Sequence, residues 1–202
     1  MKSIETREQI WYDIDNIKGL GLVAKAMKPF ITKESAQSQE RYGDTMAGII
    51  SVEHINPFLL SAQQILSQVC NIQTKVGQIS KDNMCIDGEP VFIMLGVTGE
   101  MTGQVCIVFD LEAAKDVASR MMMGMPVAEI DDMAKSALSE LGNMIMGNAA
   151  TLLSNNSIRI DITPPTLGMG STKLTSPNLT SIMVPLVYEG GEVKLYFLLK
   201  LV

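Results

Sequence analysis

The sequence predicts an α+β domain, a mainly antiparallel sheet with two long helices packed on one face, preceded by an N-terminal extension. Three segments repeat apolar residues at the i, i+3, i+4 spacing of amphipathic helices, and six others are short apolar runs bounded by turn residues. Their order favours α+β. A polar segment, residues 32–45, reads as a linker. We therefore place the domain at residues 49–202 and an extension of unknown role at residues 1–48.

The predicted helices have recognisable ends. Asn56 is predicted to cap the first helix, with Pro57 at the first helical position, where a missing N–H costs nothing. Asp110 is predicted to cap the second helix, and Gly124 to end it. The third helix starts after Asp131 or Asp132. The predicted helices cover residues 56–69, 111–123 and 133–153.

Turn residues bound the predicted strands. A turn around residues 99–103 joins two of them, Pro164-Pro165 halts a third, and the sequence Tyr-Glu-Gly-Gly at residues 188–191 predicts a hairpin turn. The predicted strands cover residues 72–78, 91–96, 104–109, 158–163, 181–187 and 192–201.

The composition excludes several classes of function. The chain has 202 residues, is 47% hydrophobic and 19% charged, and carries a net charge of −6. No apolar run reaches the length of a membrane span and the N-terminus lacks a signal peptide, so we expect a cytoplasmic protein without membrane insertion. The sequence contains no basic patch with interleaved aromatic residues, so we do not expect nucleic-acid binding. The three cysteines lie far apart, which predicts buried thiols and no metal site.

The third helix is predicted to have two different faces. Ser136, Glu140, Asn143 and Gly147 fall within a sector of about 60° around the axis. A carboxylate, a carboxamide and a small groove would therefore face outward. The opposite side carries the spacing of a buried stripe, formed by Ala134, Leu138, Leu141, Ile145, Ala149 and Leu152.

Two further features of this helix bear on a partner surface. Met144 and Met146 flank Asn143, either as core filling or as an adaptable contact surface. Gly142 and Gly147 cost about 1 kcal/mol each in a helix relative to alanine. Close approach of another backbone, from a partner or from the chain's own sheet, would explain them. The only histidine, His54, has no Ser/Asp partners in sequence that would indicate a catalytic triad.

The chain from about residue 51 resembles the CheC/CheX/FliY family of bacterial chemotaxis phosphatases, and CheX proteins most closely. The family motif is Asp or Ser, three residues, Glu, two residues, Asn, and a proline about 22 residues later. Ser136, Glu140, Asn143 and Pro165 match it. The segments 96–103, 121–125 and 161–166 also look like CheX.

The resemblance implies a CheC-like fold and a protein phosphatase that hydrolyses the aspartyl phosphate of a CheY-type response regulator. Glu140 would dock to a receiver lysine and Asn143 would orient the attacking water. We expect Ser136, Met144, Met146, Gly147 and Pro165 to contact the partner. The resemblance implies no cofactor of the chain's own, since Mg²⁺ would belong to the receiver. It also implies a homodimer, for which residues 195–202 are a candidate pairing strand.

Two other functions remain open at this point. The same helix could bind a receiver or a flagellar-switch protein without catalysis, or residues 1–48 could bind another partner in a regulatory fusion. A faint internal repeat at an offset of 87 residues maps Glu53 and Asn56 onto Glu140 and Asn143. Because Pro57 follows Asn56 directly, we expect Asn56 to be a cap and not a second presented amide.

Overall fold

The computed structural model describes residues 50, 52–82, 85–86, 88–173 and 181–202, so the predicted extension at residues 1–48 lies outside the described residues. The described part contains three helices, α1 (Val52–Cys70), α2 (Leu111–Met121) and α3 (Asp132–Asn155). Its strands are β1 (Lys75–Val76), β2 (Ser80–Asp82), β3 (Cys85–Ile86), β4 (Val91–Gly99), β5 (Met101–Phe109), β6 (Ile160–Ile162), β7 (Thr166–Met169), β8 (Thr172–Lys173), β9 (Ser181–Tyr188) and β10 (Gly191–Leu201).

Eight of these strands form one sheet in which every pairing is antiparallel. Its order is β1-β9-β10-β5-β4-β6, with β2 also pairing with β9 and β7 with β4. Strands β3 and β8 form a separate two-stranded ribbon. The predicted α+β class, with a mainly antiparallel sheet, is confirmed.

The helices pack against one another and cover one face of the sheet, where α3 lies over β4. Two of the three predicted N-caps form. The Asp110 side chain accepts a hydrogen bond of 2.7 Å from the N–H of Ala113, and Asp131 accepts one of 2.8 Å from Ala134. Five of the six residues of the predicted stripe on α3 are buried. Leu152 is only half-buried, and Leu153 takes its place in the core.

The start of α1 differs from the prediction. The helix begins at Val52, so Asn56 lies inside it and is not the N-cap, and Pro57 is an interior proline. The proline has no N–H for the carbonyl four residues earlier, which is why the sequence pattern favoured a helix start here. Asn56 is only 8% exposed, and its Oδ1 has no hydrogen-bond partner among the described residues.

Several strands also have other limits than predicted. The segment 72–78 is extended in a sheet only at Lys75–Val76, and β4 and β5 continue to a tighter turn at Glu100. Gly103 therefore lies within β5 and not in a turn. Its φ is +139°, and a Cβ there would collide with the backbone carbonyl of Leu198. This close approach explains the glycine.

Strand β10 lies in the interior of the sheet. It pairs with β5 from Val193 to Leu201 and with β9 from Gly191 to Phe197. Both of its edges are therefore occupied at residues 195–197, and the expectation that residues 195–202 form a dimer by strand pairing is wrong there. No helix in the described ranges is long and apolar enough to cross a membrane.

Candidate functional site

The sheet holds the middle of α3 at short range through Gly142. A Cβ at Gly142 would lie 3.0 Å from Cγ2 of Ile93 and 3.5 Å from Cδ1 of Leu95, two buried side chains of β4. A helix can approach a sheet this closely only where its side chain is absent. Of the two explanations for this glycine, its own sheet is the correct one. The residue that follows, Asn143, is consequently carried on a well-supported backbone.

Glu140 and Asn143 lie on the outer side of α3. Glu140 is exposed and Asn143 is half-buried. Neither side chain forms a hydrogen bond or an ion pair with any residue that the structure describes. Three residues of helix separate them by about 4.5 Å along the axis. The two polar groups are thus adjacent and unpaired on one helix face.

The small residues on either side of this pair differ in their surroundings. The hydroxyl of Ser136 donates a 2.7 Å hydrogen bond to the carbonyl of Asp132 in the preceding turn, which occupies its proton within the helix. No heavy atom lies within 4 Å of the position a Cβ would take at Gly147. Gly147 therefore leaves an open notch one turn beyond Asn143.

Met146 is a correction to the predicted partner surface. It is 0% exposed, because it follows Gly142 by four residues and shares the face that packs on the sheet. A partner cannot reach its side chain in this fold. Met144 is half-buried on the outer side and stays a predicted partner contact.

Pro165 lies in a bulge of the strand at the sheet edge. Val97 pairs with Ile162 and Met94 with Thr166, so two residues of β4 face three residues, 163–165, on the edge strand. One extra residue on one strand defines a β-bulge, and prolines are tolerated at such edge positions. The hydroxyl of Thr163 accepts a 2.8 Å hydrogen bond from the N–H of Gly96. Helix α3 packs on β4, β6 and β7. The half-buried Pro165, between β6 and β7, therefore lies at the sheet edge next to α3.

Helices α1 and α3 run in the same direction. The hydroxyl of Ser61 donates to the carbonyl of Ile145, and the amide of Asn148 donates to Gln64 at 3.2 Å. Both contacts join residues 84 positions apart, and a constant difference is the signature of parallel helices. The sequence repeat matches these two helices to each other, but no sequence pattern indicates that Ser61 forms a buried hydrogen bond between them. Because Asn56 is buried, α1 does not present a second amide to solvent, although the reason is burial and not the predicted cap.

The described residues whose pKa is shifted lie away from the face of α3 that carries Glu140 and Asn143. Burial raises the pKa of Tyr188 to about 12, and the neighbouring Asp116 raises it further. Within α2, Asp116 is bound by Nε of Arg120 at 3.0 Å. The hydroxyl of Tyr188 donates to Asp116 at 3.4 Å, and this hydrogen bond links β9 to α2. A cavity near Val108, Lys194 and Tyr196 is lined by no residue of α3. Among the described residues, no cluster of three or more His, Cys, Asp or Glu side chains could hold a metal ion.

The fold and this helix face define the class of protein. A family model described as "Chemotaxis phosphatase CheX" matches residues 91–193. The chain is 34% identical over 116 residues to "CheY-P phosphatase CheX" of Thermotoga maritima, which covers 57% of this chain and 75% of that protein.

Solved structures agree with this match. CheX of Desulfovibrio desulfuricans is 25% identical with a TM-score of 0.66, and the match covers 75% of this chain and all of that one. CheX in the CheX–CheY–BeF₃–Mg²⁺ complex of Borrelia burgdorferi is 27% identical with a TM-score of 0.63, over 74% and 99% of the two chains. The chain belongs to the CheX family of chemotaxis phosphatases, which are hydrolases, and has the CheC-like fold.

Proposed function

We propose that this protein hydrolyses the aspartyl phosphate of a CheY-type receiver, with Asn143 orienting the attacking water and Glu140 binding a lysine of the receiver. The observation that carries the proposal is the pair itself: an exposed carboxylate and a half-buried carboxamide, one turn apart and unpaired among the described residues. The names of the relatives support the substrate. One is a CheY-P phosphatase, and another was solved bound to CheY with beryllofluoride and Mg²⁺.

An amide suits the chemistry proposed for Asn143. An aspartyl phosphate is a reactive acyl phosphate, so its hydrolysis needs positioning of the water and neutralisation of charge more than a strong base. A carboxamide has one acceptor and two donor hydrogens and no charge. It can hold a water in line with the phosphorus without repelling the phosphoryl oxygens. A glutamine has the corresponding part in some GTPases.

Glu140 is suited to a different task. It lies one turn before Asn143, about 4.5 Å along the axis, so it would contact a group beside the phosphate and not the phosphate itself. A lysine next to the phosphorylated aspartate would be such a group. Removed from water between two proteins, this charge-assisted contact contributes about 1.5–3 kcal/mol.

The neighbouring small residues would let the receiver approach the helix. Ser136 and Gly147 lie on the same side as the pair, and Gly147 leaves an open notch. Pro165 would form the rim at the sheet edge, and Met144 an apolar contact. In this proposal the Mg²⁺ belongs to the receiver. We also propose that the protein acts in the cytoplasm and as a homodimer, whose mass light scattering of the purified chain would measure.

The direct test is the decay of a phosphorylated CheY-type receiver with and without the protein. Asn143→Ala should lower kcat at least a hundredfold while leaving the affinity for a beryllofluoride-loaded receiver nearly unchanged, since the amide acts on the water. Glu140→Lys should instead weaken binding more than tenfold, because two cations would face each other. Calorimetric titration measures the affinity.

Two variants serve as matched controls. Asn155→Ala removes an exposed amide at the end of α3, and Glu189→Lys reverses an exposed charge in the β9–β10 turn. Both should behave as wild type. Undiminished turnover by Asn143→Ala would refute its role. Tight receiver binding without any acceleration by the wild-type chain would instead establish the non-catalytic interaction module. Deletion of residues 1–48 tests the regulatory fusion.

A further inference from the structure

The interface with the receiver must extend well beyond the catalytic pair. A specific protein–protein interface buries about 800 Å² on each partner and involves about 20 residues a side, and weak encounters bury somewhat less. Two polar side chains cover only a small part of such an area. The remainder has to lie on surface that continues from Glu140 and Asn143, and the core of such an interface is apolar, with methionine enriched there.

Met133 is in a suitable position on α3 itself. It is 57% exposed and precedes Glu140 by seven residues. Seven residues are nearly two turns, so the two side chains lie about 20° apart around the axis and about 10.5 Å apart along it. Met133 therefore occupies the same outward stripe as Glu140, toward the start of the helix.

Leu60 extends the same surface onto α1. It is 40% exposed, and residues 84 positions apart lie level on the two parallel helices, as the Ser61 and Gln64 contacts establish. Leu60 is therefore level with Met144, the half-buried methionine next to Asn143. Apolar groups on both helices thus border the proposed site, and about half of each of the two side chains is open to solvent.

We infer that Met133 and Leu60, together with Met144, form an apolar docking strip for the receiver, outside the reacting groups. The inference rests on the proposed function, because the occupant is the same phosphorylated receiver. Along the helix axis Met133 and Leu60 lie on either side of the pair, and the exposed Asp131 and Asp132 lie next to Met133, with Asp132 in an ion pair with Lys135. Two carboxylates and one ammonium group leave this end of the strip negatively charged. The strip therefore fits a partner surface that is apolar at its centre and basic at its edge.

The test measures affinity and turnover separately in the full chain. Met133→Gln and Leu60→Gln keep the size of the side chain and make it polar. Each should raise the Kd for a receiver loaded with Mg²⁺ and beryllofluoride about three- to tenfold. KM for the phosphorylated receiver should rise by the same factor, with kcat unchanged. Val187→Thr changes another exposed apolar residue, 45% exposed on β9, and should alter neither constant.

The outcomes separate this inference from the proposed function. If Asn143→Ala abolishes turnover but both glutamine variants keep the wild-type Kd and KM, the docking strip is refuted and the proposed function stands. A fall in kcat without a rise in Kd would also refute it. If the wild-type chain neither binds nor dephosphorylates any receiver, both are refuted. Circular dichroism checks that each variant is folded.

Discussion

The same substitution at two glycines of α3 should stabilise the protein at one position and fail to stabilise it at the other. Alanine favours an interior helical position over glycine by about 1 kcal/mol. At Gly147 the new methyl group would meet no heavy atom within 4 Å. The free energy of unfolding of Gly147→Ala should therefore rise by about 0.5–1 kcal/mol, almost the whole difference in helix propensity.

At Gly142 packing opposes the gain in propensity. The new Cβ would lie 3.0 Å from Cγ2 of Ile93, which is tighter than an ordinary contact. Ile93 and Leu95 are 0% exposed, and a β-branched isoleucine has little rotamer freedom to move aside. Overpacking of this kind costs about 1–3 kcal/mol. After the gain of about 1 kcal/mol in propensity, we expect a net change between about zero and a loss of 2 kcal/mol.

Urea unfolding of the two variants measures this contrast. The m-value should stay constant, so that the shift of the midpoint reports stability alone. Gly142→Ala should also lower kcat, because lifting the helix from β4 displaces Asn143, whereas Gly147→Ala should raise KM by filling the notch. The reasoning fails if Gly142→Ala proves as stabilising as Gly147→Ala, since the short contact with the sheet would then be harmless.

Three further predictions follow from the described side chains. Met146→Gln buries an amide without a partner at a 0% exposed position and should lower the urea unfolding free energy by about 2–4 kcal/mol. Met123, two residues after the last residue of α2, has a φ of +58°, which favours glycine. Met123→Gly should therefore raise the free energy of unfolding by about 0.5–1 kcal/mol, and with it the melting temperature. Burial raises the pKa of Cys106 to about 12 and of Cys70 to about 11, above the ordinary value of 9.0. The native state therefore keeps both thiols protonated. This effect stabilises the fold fully below pH 9 and is lost as pH rises through the raised pKa values. With the third cysteine removed by Cys85→Ser, chemical labelling of Cys70 and Cys106 at pH 8 should require denaturant.

The parts of the fold that sequence could predict are those decided by neighbouring residues. Asp110 and Asp131 lie where an N-cap side chain reaches an N–H three residues on, and both bonds form. The stripe of α3 follows from helical spacing alone, and only its last member shifts, from Leu152 to Leu153. The hairpin turn between β9 and β10 likewise depends on local turn residues.

The parts that sequence could not predict depend on distant contacts. Local sequence around Pro57 predicts a helix start, but α1 continues through the proline because the helix packs on α3 and Phe58 contacts Phe197 of β10. In sequence Met146 is close to Asn143, which favours a place on the partner surface. It follows Gly142 by one helical turn, however, and therefore lies on the buried face of α3 that packs on β4. The bulge at residues 163–165 exists only through the register with β4, which no local pattern of β6 contains.

The two parallel helices explain why a repeated pattern need not produce a repeated site. The offset of 87 residues places Asn56 of α1 where α3 has Asn143, and both lie within a helix. Asn143 is half-buried and unpaired toward the outer side, whereas Asn56 is 8% exposed. Pro57 directly after Asn56 also removes a backbone hydrogen bond from the turn that would have to hold the amide rigidly. A water-orienting amide needs both access and a fixed backbone, and among the described residues only α3 combines them, through the open notch at Gly147 and the close contact of Gly142 with the sheet.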